Sequence, residues 1–324
     1  MVQKLKSLQS SKYYGYILLA AMVLFFYCFF KILTPDNFGS PANLYSYLQS
    51  SIIYSVGGCG LYFIVVMGLF DFAVGANVVL SSIVGVILSK QFGYPGFVFG
   101  CLGCGTLIGL LIGFLYNRLN VPSMIVTVGL MLILESVAVF AAGGVKQTLD
   151  ENLRFFSGAP GNILLAGFAF LLMYFILNYT KIGTYCNAIG SNEFSARNMG
   201  INVKKYKLIG FMLLHFFVGV MAILTVSYGT TMTALTGMST MSRNFTPLMG
   251  TFFGVAFRKY GKPITAIVVG EFIIALIFNG FVALGAPTTI QNVVTGALML
   301  TGGIVVVLAA GCVVCLLKCR EKRA

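Results

Sequence analysis

The stretch "VVMGLFDFAVGANVVLSS", residues 65–82, sets a single aspartate, Asp71, between two long apolar runs. The nearest lysine or arginine in the sequence is Lys90, so the carboxylate has no cationic partner close to it along the chain. The turn is too apolar to lie in water, and we expect it inside a bundle of membrane helices, where protein covers irregular backbone. Gly68 and Gly75 flank Asp71 and permit a sharp bend, so a broken helix is predicted here.

The helix that follows the break is expected to use Asp71 as an N-cap. Backbone N–H groups at the start of a helix have no partner inside the helix, and a carboxylate can accept hydrogen bonds from those of Ala73 or Val74. The helix dipole also favours a negative charge at this end. Asn77 is the only other strongly polar side chain of the turn. We therefore predict that Asp71 is a structural cap, and neither a proton carrier nor a substrate ligand.

The composition of the whole chain indicates a membrane protein. Of its 324 residues, 58% are hydrophobic and 9% are charged, and the mean hydropathy is +0.94. A soluble domain carries about 25% charged residues, so this chain cannot cover its surface in water. The net charge of +13 would suit a nucleic-acid-binding protein, but that class is excluded because the basic residues sort by membrane side.

Ten apolar segments are long enough, or nearly so, to cross a bilayer, which takes about 20 residues. The first follows a basic stretch as a signal peptide would, but no small-x-small cleavage site follows it, so we expect an uncleaved helix. The eighth is short and is expected to be a half-helix or to begin deeper in the protein. The segments cover residues 14–33, 50–69, 72–89, 95–117, 122–142, 161–179, 207–228, 245–257, 263–284 and 289–316.

The basic residues predict the orientation of these segments. With the N-terminus in the cytoplasm, 16 of the 21 basic residues fall on the cytoplasmic side, where lysine and arginine concentrate in membrane proteins. The pattern predicts an all-α polytopic membrane protein with about ten transmembrane helices, some broken or short, and both termini cytoplasmic. The five basic residues left at outer ends and loops are Lys31, Lys90, Lys146, Arg154 and Arg243.

The motifs of an enzyme or a metal site are missing from the sequence. No G-x-x-x-x-G-K-[ST] motif occurs, so no phosphate-binding loop is predicted. The one histidine, His215, cannot build a metal centre alone and is expected to hydrogen-bond a neighbouring helix. The C-x-x-C pairs Cys101/Cys104 and Cys312/Cys315 lack the polar surroundings that zinc thiolates need, and we interpret them as small helix residues. We predict no catalytic residue, metal site or cofactor in this chain.

Three carboxylates, Asp71, Glu135 and Glu271, lie at or within the apolar segments. Each costs roughly 2.5–3.5 kcal/mol at the centre of a lone helix, so such residues face the protein interior or water. A ten-helix proton-coupled secondary transporter using these carboxylates is therefore the alternative function. A membrane scaffold or receptor subunit without a pathway is a third. No two of the acids are close in sequence, which weighs against a proton relay.

The longest predicted cytoplasmic loop covers residues 181–207. Its middle, "NEFSARNMG", is expected to form a short helix that Gly200 stops. Glu193 and Arg197 are four residues apart and can pair on that helix. On these residues alone, a docking surface and a solvated loop that only sets topology both stay open. In the fourth segment, Gly105, Gly109 and Gly113 recur every four residues and predict close packing of helices.

Three ordered motifs resemble those of the permease subunits of ribose-type simple-sugar ABC importers, over roughly residues 50–310. The family's "G-G-I-D-L-S-V-G" is similar to "GLFDFAVG" here, with matches at Gly68, Asp71, Val74 and Gly75. Its "P-x-F-I-x-T-L-G" is similar to "PSMIVTVG", with matches at Pro122, Ile125, Thr127 and Gly129. Its "A-I-G-G-N-x-x-A-A-R-x-x-G-I" is similar to "AIGSNEFSARNMGI", with matches at Ala188, Ile189, Gly190, Asn192, Ala196, Arg197, Gly200 and Ile201.

The chain departs from the family at two places. Ala73 stands where the family motif has serine. The family's glycine-rich stretch after the seventh span is replaced by "MGTFFGVAFRKYGKP", residues 249–263. These differences leave the resemblance intact, and they fit either one member of a heterodimeric permease pair or a sugar unlike ribose.

The resemblance implies a single transmembrane permease domain over residues 1–324, in a bacterial cytoplasmic (inner) membrane, with a cytoplasmic coupling loop at 181–207. It also implies a second permease copy or paralogue, two cytoplasmic ATPase subunits that bind the ATP, and an extracytoplasmic binding protein. The implied ATPase-coupling residues are Gly190, Asn192, Glu193, Ala196, Arg197 and Gly200. The residues implied to shape the broken helix and the pathway are Gly68, Asp71, Gly75, Asn77, Pro122 and Thr127.

Overall fold

The computed structural model describes residues 14–259, 261–287, 289, 293, 296 and 297. Nearly all regular structure in this part of the chain is helical, and its one β contact is an isolated bridge between Gln147 and Met232. Helices satisfy their backbone hydrogen bonds internally, as a segment in lipid must. The prediction of an all-α polytopic membrane protein is confirmed.

Ten α-helices in the described residues are named α1 to α10 in chain order, and seven of them are long and apolar enough to cross a membrane. The seven are α1 Tyr14–Leu33, α2 Pro41–Val66, α3 Val74–Leu119, α4 Ser123–Ala142, α5 Gly161–Tyr179, α8 Val203–Ser227 and α10 Pro263–Ala283. The shorter ones are α6 Lys181–Ser191, α7 Glu193–Asn198 and α9 Phe245–Ala256. Short 3-10 turns cover Glu151–Leu153, Phe155–Ser157, Met241–Asn244 and Phe257–Lys259.

Helix α3 contains two of the predicted spans. It has 46 residues, about 69 Å at the rise of an α-helix, which is twice the thickness of a hydrocarbon core. A bend is therefore required, and it falls at Gly93, whose φ of +62° lies in the left-handed region, two residues before Pro95. The eighth segment is short, as expected, and forms α9.

The tenth predicted segment, 289–316, falls almost wholly outside the described residues, together with Cys312 and Cys315. The basic residues at both chain ends, which carried part of the orientation argument, also lie outside them. The number of ten spans and the cytoplasmic position of both termini therefore stay predictions.

The chain divides into two compact units, one from Ile52 to Pro247 and the other from the segments on either side of it. In the Ile52–Pro247 unit, α3 and α8 pack with their backbones in close contact. A Cβ added to Gly105 would lie 2.7 Å from the His215 carbonyl oxygen, and one on Gly109 would lie 2.7 Å from the His215 Cβ. The glycine repeat thus packs helices closely, as predicted.

The other unit has an aromatic core between α1, the start of α2 and α10. Phe30 and Phe38 are fully buried there with Tyr47 and Leu276. The ring of Phe30 lies directly against Gly280 of α10, where a side chain would have no room.

Candidate functional site

The helix break lies between the end of α2 at Val66 and the start of α3 at Val74. Gly68 has a φ of +76°, which a residue with a side chain rarely adopts. Two hydroxyls of α4 bind the backbone of the break. The N–H of Phe70 donates to Ser123 Oγ at 3.1 Å, and the N–H of Phe72 donates to Thr127 Oγ1 at 3.2 Å.

Helix α4 can present these hydroxyls because it begins directly after Pro122, which is its N-cap residue. Ser123 and Thr127 are four residues apart and so lie on one face of the helix, both buried. Of the residues predicted to shape the pathway, Gly68, Pro122 and Thr127 therefore meet at one place. Ser123 belongs to the same contact and was missed by the sequence reasoning.

The Asp71 carboxylate is buried inside this break. Its Oδ1 accepts a hydrogen bond from the N–H of Ala73 at 2.6 Å, so the predicted bond from Ala73 is present. Its predicted position as N-cap is wrong, because Ala73 is the N-cap residue of α3. Asp71 lies two residues earlier and holds the approach to the helix rather than its first turn.

The second oxygen of Asp71 contacts His215, the histidine of α8. Asp71 Oδ2 and His215 Nε2 are 2.8 Å apart, and both side chains are fully buried. The other ring nitrogen of His215 is hydrogen-bonded to the Asn77 amide nitrogen. Asn77 Oδ1 in turn accepts from Ser81 Oγ at 2.6 Å. The network assigns the imidazole proton to Nε2, because Nδ1 must accept from the Asn77 amide.

His215 was expected to hydrogen-bond a neighbouring helix, and this prediction is confirmed. The sequence reasoning did not identify Asp71 as its partner, because the two residues are 144 positions apart. With Asp71, His215, Asn77 and Ser81 all engaged, this buried network binds its own members. Within the described residues, its donor groups are all used by contacts to each other or to the Gly105 carbonyl.

Asn244 supplies the side-chain cap of α3 from a distant part of the chain. Its Oδ1 accepts from the N–H of Gly75, and its Nδ2 donates to the Phe72 carbonyl at 2.7 Å. A Cβ on Gly75 would overlap the Thr240 carbonyl oxygen. Gly75 is therefore needed for the close approach of residues 240–244, and not only for a bend.

Glu135 of α4 anchors the chain just before Asn244. Its buried carboxylate accepts from the N–H of Met238 at 2.9 Å, and from the N–H and Oγ1 of Thr240 at 2.8 and 2.7 Å. Met238 has a φ of +64°, a strained conformation for a bulky side chain, which persists only where neighbouring contacts fix it. Glu135 thus has a structural role, holding Met238 and Thr240, that the sequence did not predict.

Glu271 lies in the other unit, on α10. Its Oε1 accepts from the N–H of Gly250 at 3.1 Å. Its Oε2 is buried and has no hydrogen-bond partner among the residues that the structure describes. Within the described residues, neither Asp71 nor Glu135 is hydrogen-bonded to another acid, so the contacts form no proton relay.

The cytoplasmic loop predicted at 181–207 folds into two short helices. Thr180 caps α6 by accepting from the N–H of Ile182 at 3.3 Å. Asn192 caps α7 by accepting from the N–H of Ser195 at 2.9 Å. Gly200, with a φ of +82°, follows α7. The short helix and its glycine stop are present where they were predicted.

Two contacts anchor these helices to the membrane part of the Ile52–Pro247 unit. Gly190 lies so close to the Val66 carbonyl that a Cβ would overlap the oxygen. Lys207 Nζ lies 2.9 Å from Glu193 Oε2 and 3.3 Å from the Tyr116 hydroxyl. The predicted pair of Glu193 with Arg197 is present at 3.4 Å.

Two large apolar side chains are exposed on α7 and directly after it. Phe194 is 73% exposed and Met199 is 70% exposed, whereas Ala196 is fully buried beneath them. Cys186 is buried on the inner side of α6, and burial raises the pKa of its thiol to about 12. Of the residues predicted for ATPase coupling, Gly190, Glu193 and Ala196 fix this segment in place.

Comparison with known proteins relates the chain to transport permeases. The ribose import permease protein RbsC of Escherichia coli (strain K12) is 27% identical over 281 residues, covering 82% of this chain and 85% of that protein. The D-allose transport system permease protein AlsC of the same organism is 27% identical, covering 89% of each. The fructose import permease protein FrcC of Rhizobium meliloti is 26% identical, covering 83% and 72%. No solved structure matches the chain.

A model of the family described as "Branched-chain amino acid transport system / permease component" matches residues 43–302. The match confirms the resemblance to importer permeases that the three motifs indicated, and it favours the importer over the proton-coupled alternative. It also confirms the predicted localisation, a multi-pass protein of the cytoplasmic membrane. Because the match covers most of the chain, this protein belongs to that family of permease components, a family of transport subunits and not of enzymes.

Proposed function

We propose that the chain is the membrane-spanning permease subunit of an ABC importer for a simple sugar or a related small polar metabolite. The names of its relatives support the substrate class, since they are import permeases for ribose, allose and fructose. In this proposal a second permease copy or paralogue completes the pathway, and an extracytoplasmic binding protein delivers the substrate. Two cytoplasmic ATPase subunits bind the ATP, so this chain needs no cofactor of its own.

The observation that carries the proposal is the anchored cytoplasmic segment with its exposed apolar face. Phe194 on α7 and Met199 directly after it expose large apolar surfaces, and this segment is capped at its start and held by Lys207. A loop that only set topology would need neither caps nor a buried lysine. An exposed apolar surface on a rigid segment is a typical protein-docking site, and its cytoplasmic side fits an ATPase subunit.

A short contact route leads from this docking surface to the membrane interior. Gly190, near the end of α6, contacts the carbonyl of Val66, which is the last residue of α2 before the helix break. In our proposal, movement of the docking segment is passed to the break through this backbone contact. Gly68 is the residue that absorbs the change in backbone angle, since its φ is already left-handed.

The residues around the break have a shaping role in this proposal. Asp71, Asn77 and Thr127 are buried and bind protein groups, so they hold the wall of the pathway without touching the substrate. Pro122 sets where α4 begins, and Gly75 lets residues 240–244 approach the first turn of α3. We also propose ten spans with both termini in the cytoplasm, as the sorting of basic residues favours.

Photocrosslinking tests the docking surface. A benzophenone amino acid at Phe194 is expected to crosslink to the purified cognate ATPase subunit in membranes. The same residue at Phe155 is the control, because Phe155 is also exposed but lies in the loop predicted outside. Equal crosslinking at both positions, or none at Phe194 in an assembled complex, contradicts the docking proposal.

Transport and labelling assays test the remaining parts. Proteoliposomes that contain the complete complex and binding protein are expected to take up radiolabelled ribose on ATP addition, and the permease alone is not expected to respond to a proton gradient. Single cysteines at the exposed Lys146 and Lys204 are expected to label from opposite sides of intact cells. Uptake driven by protons alone, or labelling of both positions from outside, would overturn the proposal.

A further inference from the structure

The chain segment before Asn244 reaches the middle of the membrane. Glu135, which binds the N–H groups of Met238 and Thr240, lies about 18 Å from the Ser123 end of α4 and about 10 Å from its Ala142 end. Asn244 hydrogen-bonds Gly75 in the first turn of α3 and Phe72 in the break. Phe72 in turn binds Thr127, which lies on the Ser123 side of Glu135 along α4. Residues 238–244 therefore lie at the depth of the middle of α4.

This segment is both irregular and exposed. Residues 233–236 form neither helix nor strand, and residues 235–239 are all exposed. Exposed irregular backbone at membrane depth does not occur against lipid, because lipid offers no partner to its polar groups. It occurs where the backbone lines a water-filled cavity. The exposed side of residues 238–243 therefore faces water, or another protein chain, and residues 233–237, which are mostly exposed, lead directly into it.

Arg243 is the charged group of this segment. Its side chain is exposed, although its Cβ lies only 3.1 Å from the position that a Cβ of Gly75 would occupy. Within the described part of the chain, no acid pairs with its guanidinium. A guanidinium at this depth is costly unless it faces water or a polar ligand, and such residues mark substrate pathways.

The neighbouring side chains suit an oxygen-rich ligand. Thr233, Thr236, Ser239 and Ser242 are all exposed and recur every three residues toward Arg243. The hydroxyl of Ser239 already donates to the Leu235 carbonyl, so it is left as an acceptor. Hydroxyls donate and accept hydrogen bonds, and a guanidinium presents five N–H donors. Together they can replace the water around a small molecule that carries several hydroxyl or anionic oxygens.

We propose that residues 233–243 line the translocation pathway and that Arg243 donates hydrogen bonds to oxygen atoms of the substrate as it passes. The proposal rests on the proposed importer function and deepens it, since it names the group that faces the substrate. The buried network of Asp71 and His215 then forms the rigid wall behind this surface. Glu135 and Asn244 hold the lining segment against that wall.

Accessibility to a charged reagent tests the first half of the proposal without a substrate. All eight cysteines are replaced by alanine, and a single cysteine is placed at Arg243 in the complete complex. The negatively charged, membrane-impermeant sulfonatoethyl methanethiosulfonate is expected to modify it. We expect the rate to change by about tenfold or more between the nucleotide-free and ATP-trapped complexes.

The matched control is Ile133→Cys on α4, two residues from Glu135 at the same depth and 58% exposed in the single chain. It is expected to stay unmodified. A cysteine at Arg243 that is unreactive in both nucleotide states overturns the proposal. If oxidation then crosslinks this cysteine to a second permease copy, residues 233–243 form a subunit interface. If no crosslink forms, the segment is buried away from water.

Transport by charge variants tests the contact with substrate. Losing a charge-assisted hydrogen bond to the substrate is expected to lower the initial rate of ribose uptake about tenfold or more in Arg243→Gln. Arg243→Lys keeps the charge and is expected to recover part of the rate. ATP hydrolysis stimulated by loaded binding protein is expected to stay within about twofold, because the docking segment is unchanged. Lys146→Gln, which removes an exposed outer charge, is the control.

These outcomes separate the two proposals. Normal ribose uptake by Arg243→Gln overturns the substrate contact while the importer function stands. Equal loss of uptake and of stimulated hydrolysis also overturns it, because the residue then acts on assembly or coupling. If the unaltered complex takes up no ribose, the proposed sugar is wrong, and the accessibility experiment alone decides whether Arg243 lies in the pathway.

Discussion

Replacing Asp71 with leucine tests the buried pair that Asp71 forms with His215. Leucine keeps the bulk of the side chain but accepts no hydrogen bond. The N–H of Ala73 and the Nε2–H of His215, now 2.6 and 2.8 Å from the carboxylate, would be left unpaired in a dry site. Each unpaired buried donor costs about 1–3 kcal/mol, so the two together cost about 2–6 kcal/mol of unfolding free energy. We expect far less assembled protein in membranes.

Asp71→Asn is expected to be much milder. The asparagine carbonyl can still accept from Ala73, while its amide must face His215. The imidazole proton can move to Nδ1 if the Asn77 amide turns over, so every group finds a partner again. The unfolding free energy then falls only by the charge-assisted part of the hydrogen bond between residue 71 and His215, about 1 kcal/mol. Assembly and most of the transport activity are therefore expected to persist.

A double-mutant cycle measures the interaction directly. Unfolding free energies of Asp71→Leu, His215→Leu and the double variant are obtained by dodecyl sulfate titration in mixed micelles. For residues in contact we expect a coupling of about 0.5–3 kcal/mol, with the double variant more stable than the sum of the singles predicts. Strictly additive losses would refute the pair. Normal assembly of Asp71→Asn without any transport would show that the charge itself is required, against a structural role.

Three further predictions concern the cytoplasmic segment. Gly190→Val is expected to abolish substrate-stimulated ATP hydrolysis, because its side chain would overlap the Val66 carbonyl. Gly167→Val is the control, since a side chain there meets open space, and hydrolysis is expected to stay within about twofold of the unaltered complex. Equal effects of the two variants contradict the contact route. Lys207→Met should raise the ATP hydrolysed per ribose transported, since it removes the contacts from α8 to Glu193 and Tyr116 and leaves Glu193 paired with Arg197 alone. The exposed Lys204→Met should not change this ratio, and an unchanged ratio in Lys207→Met refutes the anchor. Burial raises the pKa of the Cys186 thiol to about 12, so the thiol stays protonated at neutral pH. Maleimide labelling of Cys186 should therefore be negligible at pH 7–8 and should rise only as the pH approaches that value. Fast labelling at pH 7 contradicts the burial of this side chain.

The sequence predicted the local features of the site and missed the distant ones. The break, the bond from Ala73 to Asp71, and the helix with its stop at Gly200 each depend on residues a few positions apart, where backbone chemistry restricts the outcome. His215 and Asn244 lie 144 and 169 positions from the atoms they bind. No periodicity links residues so far apart. The packing of α3 against α8 brings His215 to Asp71, and the hold of Glu135 on Met238 and Thr240 brings Asn244 to α3.

The cap on α3 also sets an order of events during synthesis. Asn244 follows Gly75 by 169 residues, which a ribosome working at about 5–20 residues per second adds in roughly 8–34 seconds. For that time the first turn of α3 lacks its acceptor. The Asp71 carboxylate lacks one of its two donors until His215 is added, and Glu135 lacks its backbone donors until Met238 and Thr240 are added. Until then, the carboxylates of Asp71 and Glu135 stay near the membrane surface or are covered by the insertion machinery. The hydrogen bonds around the helix break are complete only after residues 215–244 have been added to the chain.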